Sequence, residues 1–199
     1  AAYGEYVAGA AKGVKHAVCI TLGTGVGGGI IIDGKIYCGS NFGGAEIGHT
    51  VIDVNGPMCS CGRKGCFEVF SSATGLIRMT KEALAAHPES AMKDEERITG
   101  RTAFHYMRAG DETAKQVVDD YIRYLAAGIT NTINIFQPDV LCVGGGISKE
   151  GSTLIDPIVA YVEGENYARH IAKKTQIKAA ALGNDAGIIG AAYLCDLYK

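Results

Sequence analysis

The sequence predicts an α/β domain built on a mixed β-sheet. Three observations carry this: a hairpin signal centred on Asp33-Gly34, alternating helix and strand patterns downstream of it, and two glycine clusters that each follow an apolar run. Hairpin strands pair antiparallel, whereas strand–helix–strand order gives parallel neighbours, so a sheet holding both is mixed. At 199 residues, the length suits one domain with one substantial core.

Residues 1–13 (AAYGEYVAGAAKG) have helical composition, and no N-cap residue precedes Ala1. A helix that begins upstream of Ala1 is expected there. Val18–Leu22 reads as a buried strand running into the glycines of residues 23–29. Ile30–Ile32 and Lys35–Tyr37 flank Asp33-Gly34, which suits a two-residue type I′ turn. From about Phe67 the period becomes helical, with breaks expected near Gly75 and at His87-Pro88, and residues 89–97 read as a charged, solvated connection. Asp111–Phe136 is the clearest helix, because Val117, Tyr121, Leu125, Ile129 and Ile133 recur every fourth residue on one face. Pro138 stops it. A short buried strand at Val140–Val143 runs into Gly144-Gly145-Gly146. A helix over 152–163, a strand over 176–180 and a helix from Ala186 to Leu197 complete the pattern.

Hydrophobic residues make up 47% of the chain and charged residues 20%, a globular composition. The formal net charge of −2 supplies no global basic field for nucleic acid or an anionic membrane. No apolar run has the length of a membrane-spanning helix, and the first residues lack the pattern of a signal peptide. Seven cysteines, an odd count without that signal, favour reduced thiols in the cytosol. Cys19, Cys38, Cys142 and Cys195 are scattered, and buried small hydrophobes are the default expectation for them.

The other three cysteines sit in one glycine-rich loop. His49, Cys59, Cys61 and Cys66 offer one imidazole and three thiolates within eighteen residues. Four such donors suit the tetrahedral shell of zinc, and Gly56, Pro57, Gly62 and Gly65 allow the tight turns needed to gather them. Four protein donors leave no open position, so the ion is expected to be structural. Free or disulfide-linked thiols beside an unrelated histidine are the alternative.

Gly23-Thr24-Gly25-Val26-Gly27-Gly28-Gly29 follows a strand, as phosphate-cradling loops do. A hairpin comes after it instead of a helix, which disfavours a dinucleotide site, and no Gly-Lys-Ser/Thr is present for a P-loop. What remains is a strand–turn–strand whose backbone N–H groups, with the Thr24 hydroxyl, can hold a nucleotide phosphate. A glycine-rich turn without ligand is the bland alternative.

Together these segments resemble the ROK family of bacterial sugar kinases, acylhexosamine kinases and sugar-responsive repressors. The resemblance runs through Leu22, Gly25, Val26, Gly27, Gly29, Ile30, Gly39 and Ala45, then Glu46-Ile47-Gly48-His49, Cys59 to Glu68, Gly144–Gly146 and Leu182 to Gly187. It implies the larger, C-terminal domain (residues 1–199) of an actin-like, ribonuclease-H-like fold, with the family's N-terminal domain absent. Glu46, His49 and Glu68 would contact sugar hydroxyls, His49 holding zinc through its other nitrogen. Gly23, Thr24, Gly25, Gly27 and Gly28 would line the nucleotide phosphates, with Gly144, Gly145 and Gly146 near the adenosine.

Implied with these are structural Zn2+, ATP with Mg2+, a homodimer, a cytoplasmic location and glucokinase-like transfer of phosphate to a hexose. The family's general-base aspartate would precede Ala1, residues 1–13 being the remnant of the helix that follows it. Asn184-Asp185 matches the family's C-terminal segment and is no substitute. This chain alone is therefore expected to have little or no kinase activity. A sugar-sensing regulator of the same family, or a zinc-stabilised module without catalysis, are the competing readings.

Overall fold

The computed structural model describes residues 1–197. Strands β1 (Ala17–Leu22), β2 (Val26–Ile32) and β3 (Lys35–Ile36) form an antiparallel meander. Asp33 and Gly34 both have positive φ, 50° and 77°, as the type I′ turn between β2 and β3 requires. β4 (Val140–Gly145) pairs with β1 in parallel, and β5 (Gln176–Ala179) pairs with β4 in parallel. The sheet order is β3-β2-β1-β4-β5, so the expected mixed sheet is present with β1 at its centre.

Alternation along β1 and β4 divides the apolar side chains between two faces. Val18, Ile20, Leu22, Leu141 and Val143 point into the larger core. The helices of that core are α2 (Phe67–Ser71), α3 (Ala73–Ala86), α4 (Thr102–Arg108), α5 (Glu112–Phe136) and α6 (Ser152–Glu165). Ala17, Cys19, Val140 and Cys142 face the other way, toward Tyr3 and Tyr6 of α1 (Ala2–Ala8). On that side α1 packs against α7 (Ala186–Leu197), and the approach is close enough that a side chain on Gly4 would run into the Ala186 carbonyl. Glu5 seals the junction: its buried carboxylate accepts hydrogen bonds from the N–H groups of Ala10, Ala181 and Leu182 at 2.8, 3.0 and 2.8 Å.

Helix α5 follows its apolar stripe. Val117, Tyr121, Leu125, Ile129 and Ile133 are all buried, and Gln137 ends the helix in a left-handed conformation just before Pro138. Several expectations are corrected. The first helix ends at Ala8 instead of residue 13, because Gly9 leaves helical geometry and Ala11 turns back to bond Glu5. The break between α2 and α3 falls at Ser72, an N-cap whose hydroxyl accepts from Gly75 N, so Gly75 lies inside α3. Residues 91–94 form a 3-10 turn that buries Met92 fully, so the 89–97 connection is not simply solvated, and α4 follows it. Cys19 and Cys142 are buried, but Cys38 and Cys195 are exposed. Among the described residues no helix is long and apolar enough to cross a membrane.

Asp111 caps α5 and ties it to that 3-10 turn. Its Oδ1 accepts from Ala114 N at 2.8 Å, and its Oδ2 accepts from Ser90 Oγ at 2.8 Å and Ala91 N at 2.7 Å. Burial opposes ionisation of this carboxyl, but bonds from Ala114, Ser90 and Ala91 outweigh it and hold it below the usual carboxylate range. A depressed folded value means that the stabilisation is complete above the unfolded value, about pH 4, and is lost as pH falls through the lower folded one. Asp111→Ala is expected to destabilise the fold by about 1–3 kcal/mol in urea unfolding at pH 7, with the gap to the parent closing in acid.

Candidate functional site

The cysteine loop is built by local pairing. Val51 bridges Cys66 and Met58 bridges Lys64, both antiparallel, so the chain folds back and returns Cys66 to the neighbourhood of His49. Gly62 and Gly65 turn with φ of 87° and 68°, and a side chain on Gly65 would strike the Asp53 carbonyl. Cys59 N donates to Arg63 O at 2.8 Å and Phe67 N to Thr50 O at 2.7 Å, closing the two ends.

All four expected ligands meet there. One donor atom from each of His49, Cys59, Cys61 and Cys66 lies within 4.8 Å of every other. Cys61 Sγ and Cys66 Sγ are 3.6 Å apart, and Cys59 Sγ is 3.7 Å from His49 Nδ1. A tetrahedral ion with zinc–sulfur bonds of 2.3 Å requires sulfur pairs about 3.8 Å apart. The donor set and its spacing therefore fit zinc, through Nδ1 of His49, which leaves Nε2 free for a ligand. Burial pushes the Cys66 thiol up to about 12, while a backbone hydrogen bond involving Arg63 lowers the exposed Cys61 thiol. Thiols of such unequal acidity become one thiolate cluster only when a cation displaces their protons.

Glu68 joins this cluster to the glycine turn. It stands in the first turn of α2, two residues after Cys66. Its Oε1 lies 3.7 Å from Cys59 Sγ, and its Oε2 accepts from Val26 N at 2.9 Å. Gly25 is required beside it, since a Cβ there would collide with Oε2. Glu46 is exposed at the start of the 3-10 turn that carries His49, its carbonyl accepting from His49 N at 3.1 Å.

The turn proper is Gly23-Thr24-Gly25. Ala73 N donates to Gly23 O and Thr74 Oγ1 to Thr24 O, both at 2.8 Å, which fixes the turn on the start of α3. The N–H groups of Thr24 and Gly25 have no acceptor among the described residues, so they can serve an anion. Gly27 and Gly28 are not in this turn. They belong to β2, paired with Thr21 and Ile20, where Gly28 makes room for the Ala45 carbonyl and Ile47.

Gly144 and Gly145 end β4 beside Thr21 and Leu22, with Gly145 at φ 90° where a side chain would strike Leu22. Both glycine clusters therefore occupy the C-terminal ends of adjacent parallel strands, the place where open α/β sheets bind ligands. Two hollows flank them. One, ≈ 430 Å³, is lined by Thr24, Gly25, Ser60, Glu68, Ser72 and Arg78 among others. The other, ≈ 340 Å³, is lined by Ala73, Thr99, Gly100, Arg101, Gly146 and Glu150 among others. Thr99–Arg101 carries no motif in the sequence; only the fold brings it to Gly146.

A mixed α/β sheet with glycine turns at the ends of adjacent parallel strands, and a four-donor cysteine–histidine loop beside them, is the larger domain of an actin-like fold. The ROK family model matches residues 1–197, and the chain belongs to that family. A glucokinase of Halalkalibacterium halodurans is 42% identical over 98% of this chain and 60% of its own length. The crystal structure of a ROK family glucokinase from Streptomyces griseus, in complex with glucose and AMPPNP, superposes with a TM-score of 0.87 at 37% identity, covering 97% of this chain and 64% of that one. A xylose repressor of Bacillus subtilis is 28% identical over 95% of this chain and 46% of its length. The chain thus spans less than two thirds of each.

Metal analysis of the purified chain is expected to find about one zinc, released as the pH is lowered because protons compete for the thiolates. Cys66→Ser should abolish retention; zinc-free protein with reduced thiols and an ordered loop would remove the metal reading.

Proposed function

We propose that this chain supplies the sugar edge and the nucleotide turn of an ATP-dependent hexose kinase, glucokinase-like, forming glucose 6-phosphate in the whole protein. The position of Glu68 carries the proposal: one carboxylate lies against Cys59 of the donor cluster and accepts from the backbone N–H of Val26, directly after the Gly23–Gly25 turn. A carboxylate accepts strong charge-assisted bonds from sugar hydroxyls. Glu46 and Nε2 of His49 would complete the contacts, and zinc on Nδ1 would hold the imidazole in one orientation.

Thr24 and Gly25 would receive the phosphates with Mg2+ bridging them, and Gly144–Gly146 would border the adenosine. Gly27 and Gly28 act in this scheme through the close packing they allow. Phosphoryl transfer depends on positioning and charge neutralisation, so aligning both substrates is the main task.

The similarity to a repressor supports a second reading, a sugar-sensing regulator. Higher identity to the glucokinase and the free amides of the Thr24 turn favour the kinase. Calorimetry with glucose and with a non-hydrolysable ATP analogue separates the two: the kinase reading expects both to bind, the regulator only the sugar. Glu68→Gln should weaken glucose about 10- to 100-fold with zinc retained. Turnover of these 199 residues with ATP and glucose is expected to lie at least about 10² below that of a full-length relative, because they span 60% of the length of the glucokinase they match and substrate alignment needs the whole cleft.

A further inference from the structure

The segment joining β3 to Glu46 reads Cys38-Gly39-Ser40-Asn41-Phe42-Gly43-Gly44-Ala45. Its neck is pinched: Gly44 N donates to Cys38 O at 2.8 Å, and a side chain on Gly44 would press on Cys38 and Gly39. Asn41 Oδ1 accepts from Gly43 N at 3.2 Å, which turns the chain around its tip. Phe42 occupies that tip with φ 63°, a left-handed conformation that bulky side chains rarely adopt. Ala45, at φ 69°, repeats the strain directly before Glu46. The phenyl ring is 89% exposed, more than any other large apolar side chain described.

Two unfavourable features therefore coincide, a strained backbone and a solvated aromatic ring, beside a proposed ligand. Strain of this kind concentrates where a site needs a side chain held in one place. Three residues lie between Phe42 and Glu46, so their Cα atoms are four steps and at most about 14 Å apart, and the pinched neck shortens that span. A hexopyranose offers two kinds of surface. Its hydroxyl edge suits Glu46, His49 and Glu68, but its ring faces are C–H groups, which a carboxylate does not satisfy. The negative π face of an aromatic ring attracts such polarised C–H bonds. The hollow beside Glu68 has no aromatic side chain in its lining.

We propose that Phe42 is the sugar platform of this site: the pinched loop delivers its ring to the C–H face of the hexose whose hydroxyls Glu46, His49 and Glu68 hold. This rests on the sugar-binding reading above and adds a determinant of specificity to it. Epimers whose axial hydroxyl interrupts that face lose the contact. Phe42 then helps to separate glucose from them, besides adding affinity.

The chain contains no tryptophan, so Phe42→Trp creates a single reporter at the loop tip. Glucose is expected to shift and enhance its emission with the midpoint measured by calorimetry. Phe42→Ala is expected to weaken glucose about five- to tenfold, to narrow the preference for glucose over its epimers, and to leave zinc content unchanged. Glucose binding by calorimetry with unchanged emission in Phe42→Trp and undiminished affinity in Phe42→Ala overturns the platform and leaves the sugar site standing. No glucose binding by the parent chain overturns both. Emission that follows protein concentration instead of glucose assigns the ring to a contact between copies, which also overturns the inference.

Discussion

The arrangement of this domain turns on the carboxylate of Glu68. One of its oxygens is held by the backbone of Val26, the first residue of β2, and the other points at Cys59 in the cysteine loop. Neither element could position the other alone. Gly23 and Thr24 of the turn are exposed, with no side chain larger than Thr24, and the loop from Pro57 to Lys64 is largely solvated. A charge-assisted bond to Val26 and a contact with Cys59, both from one carboxylate, join the two segments into one surface. Gly25 is part of the same constraint, because any larger residue would push the carboxylate out of that bond.

The constraint holds only because the base of α2 is anchored in the core. Phe67, immediately before Glu68, is fully buried, and α5 accepts its ring at Gly128, where any side chain would overlap it. Phe70, one turn further on, stacks on Tyr124 with ring centroids 4.2 Å apart and reaches Gly56 of the cysteine loop. Tyr121 donates its hydroxyl to Ser71 O at 2.7 Å. Thus the 25-residue helix α5, which touches no expected ligand, aligns the short helix that presents Glu68. Packing on this scale supplies the rigidity that a positioned carboxylate needs.

The parts legible in the sequence are those with a local physical signature. The i, i+4 stripe of α5, the Asp33-Gly34 turn and the four metal donors all depend on neighbours in sequence, and each is where the residues indicate. The break at Ser72 depends on a hydroxyl capping Gly75, a weaker signal than the glycine itself. Burial of Met92 and the existence of α4 follow from tertiary packing, since α4 runs along α5 and its charged neighbours mask the apolar face. The wall at Thr99–Arg101 was invisible for the same reason. The glycine run misleads in another way: only its first three positions turn, whereas Val26 and Gly27–Gly29 are strand residues, and the three glycines have neighbours that a side chain would meet.

A metal is the economical way to order the loop that faces Glu68. Residues 53–65 offer few buried apolar side chains, so hydrophobic burial cannot fix their path. Structural zinc in small thiolate sites contributes on the order of 10–16 kcal/mol, as much as the whole stability of many domains. An ion held by His49, Cys59, Cys61 and Cys66 has no vacant coordination position for water or a hydroxyl group. On the proposed kinase reading it would therefore serve as no Lewis acid; it would orient the His49 imidazole and fix Cys59, against which Glu68 rests. The proposed substrate contacts would then fall to carboxylates, one imidazole nitrogen and backbone amides, groups that act by being correctly placed.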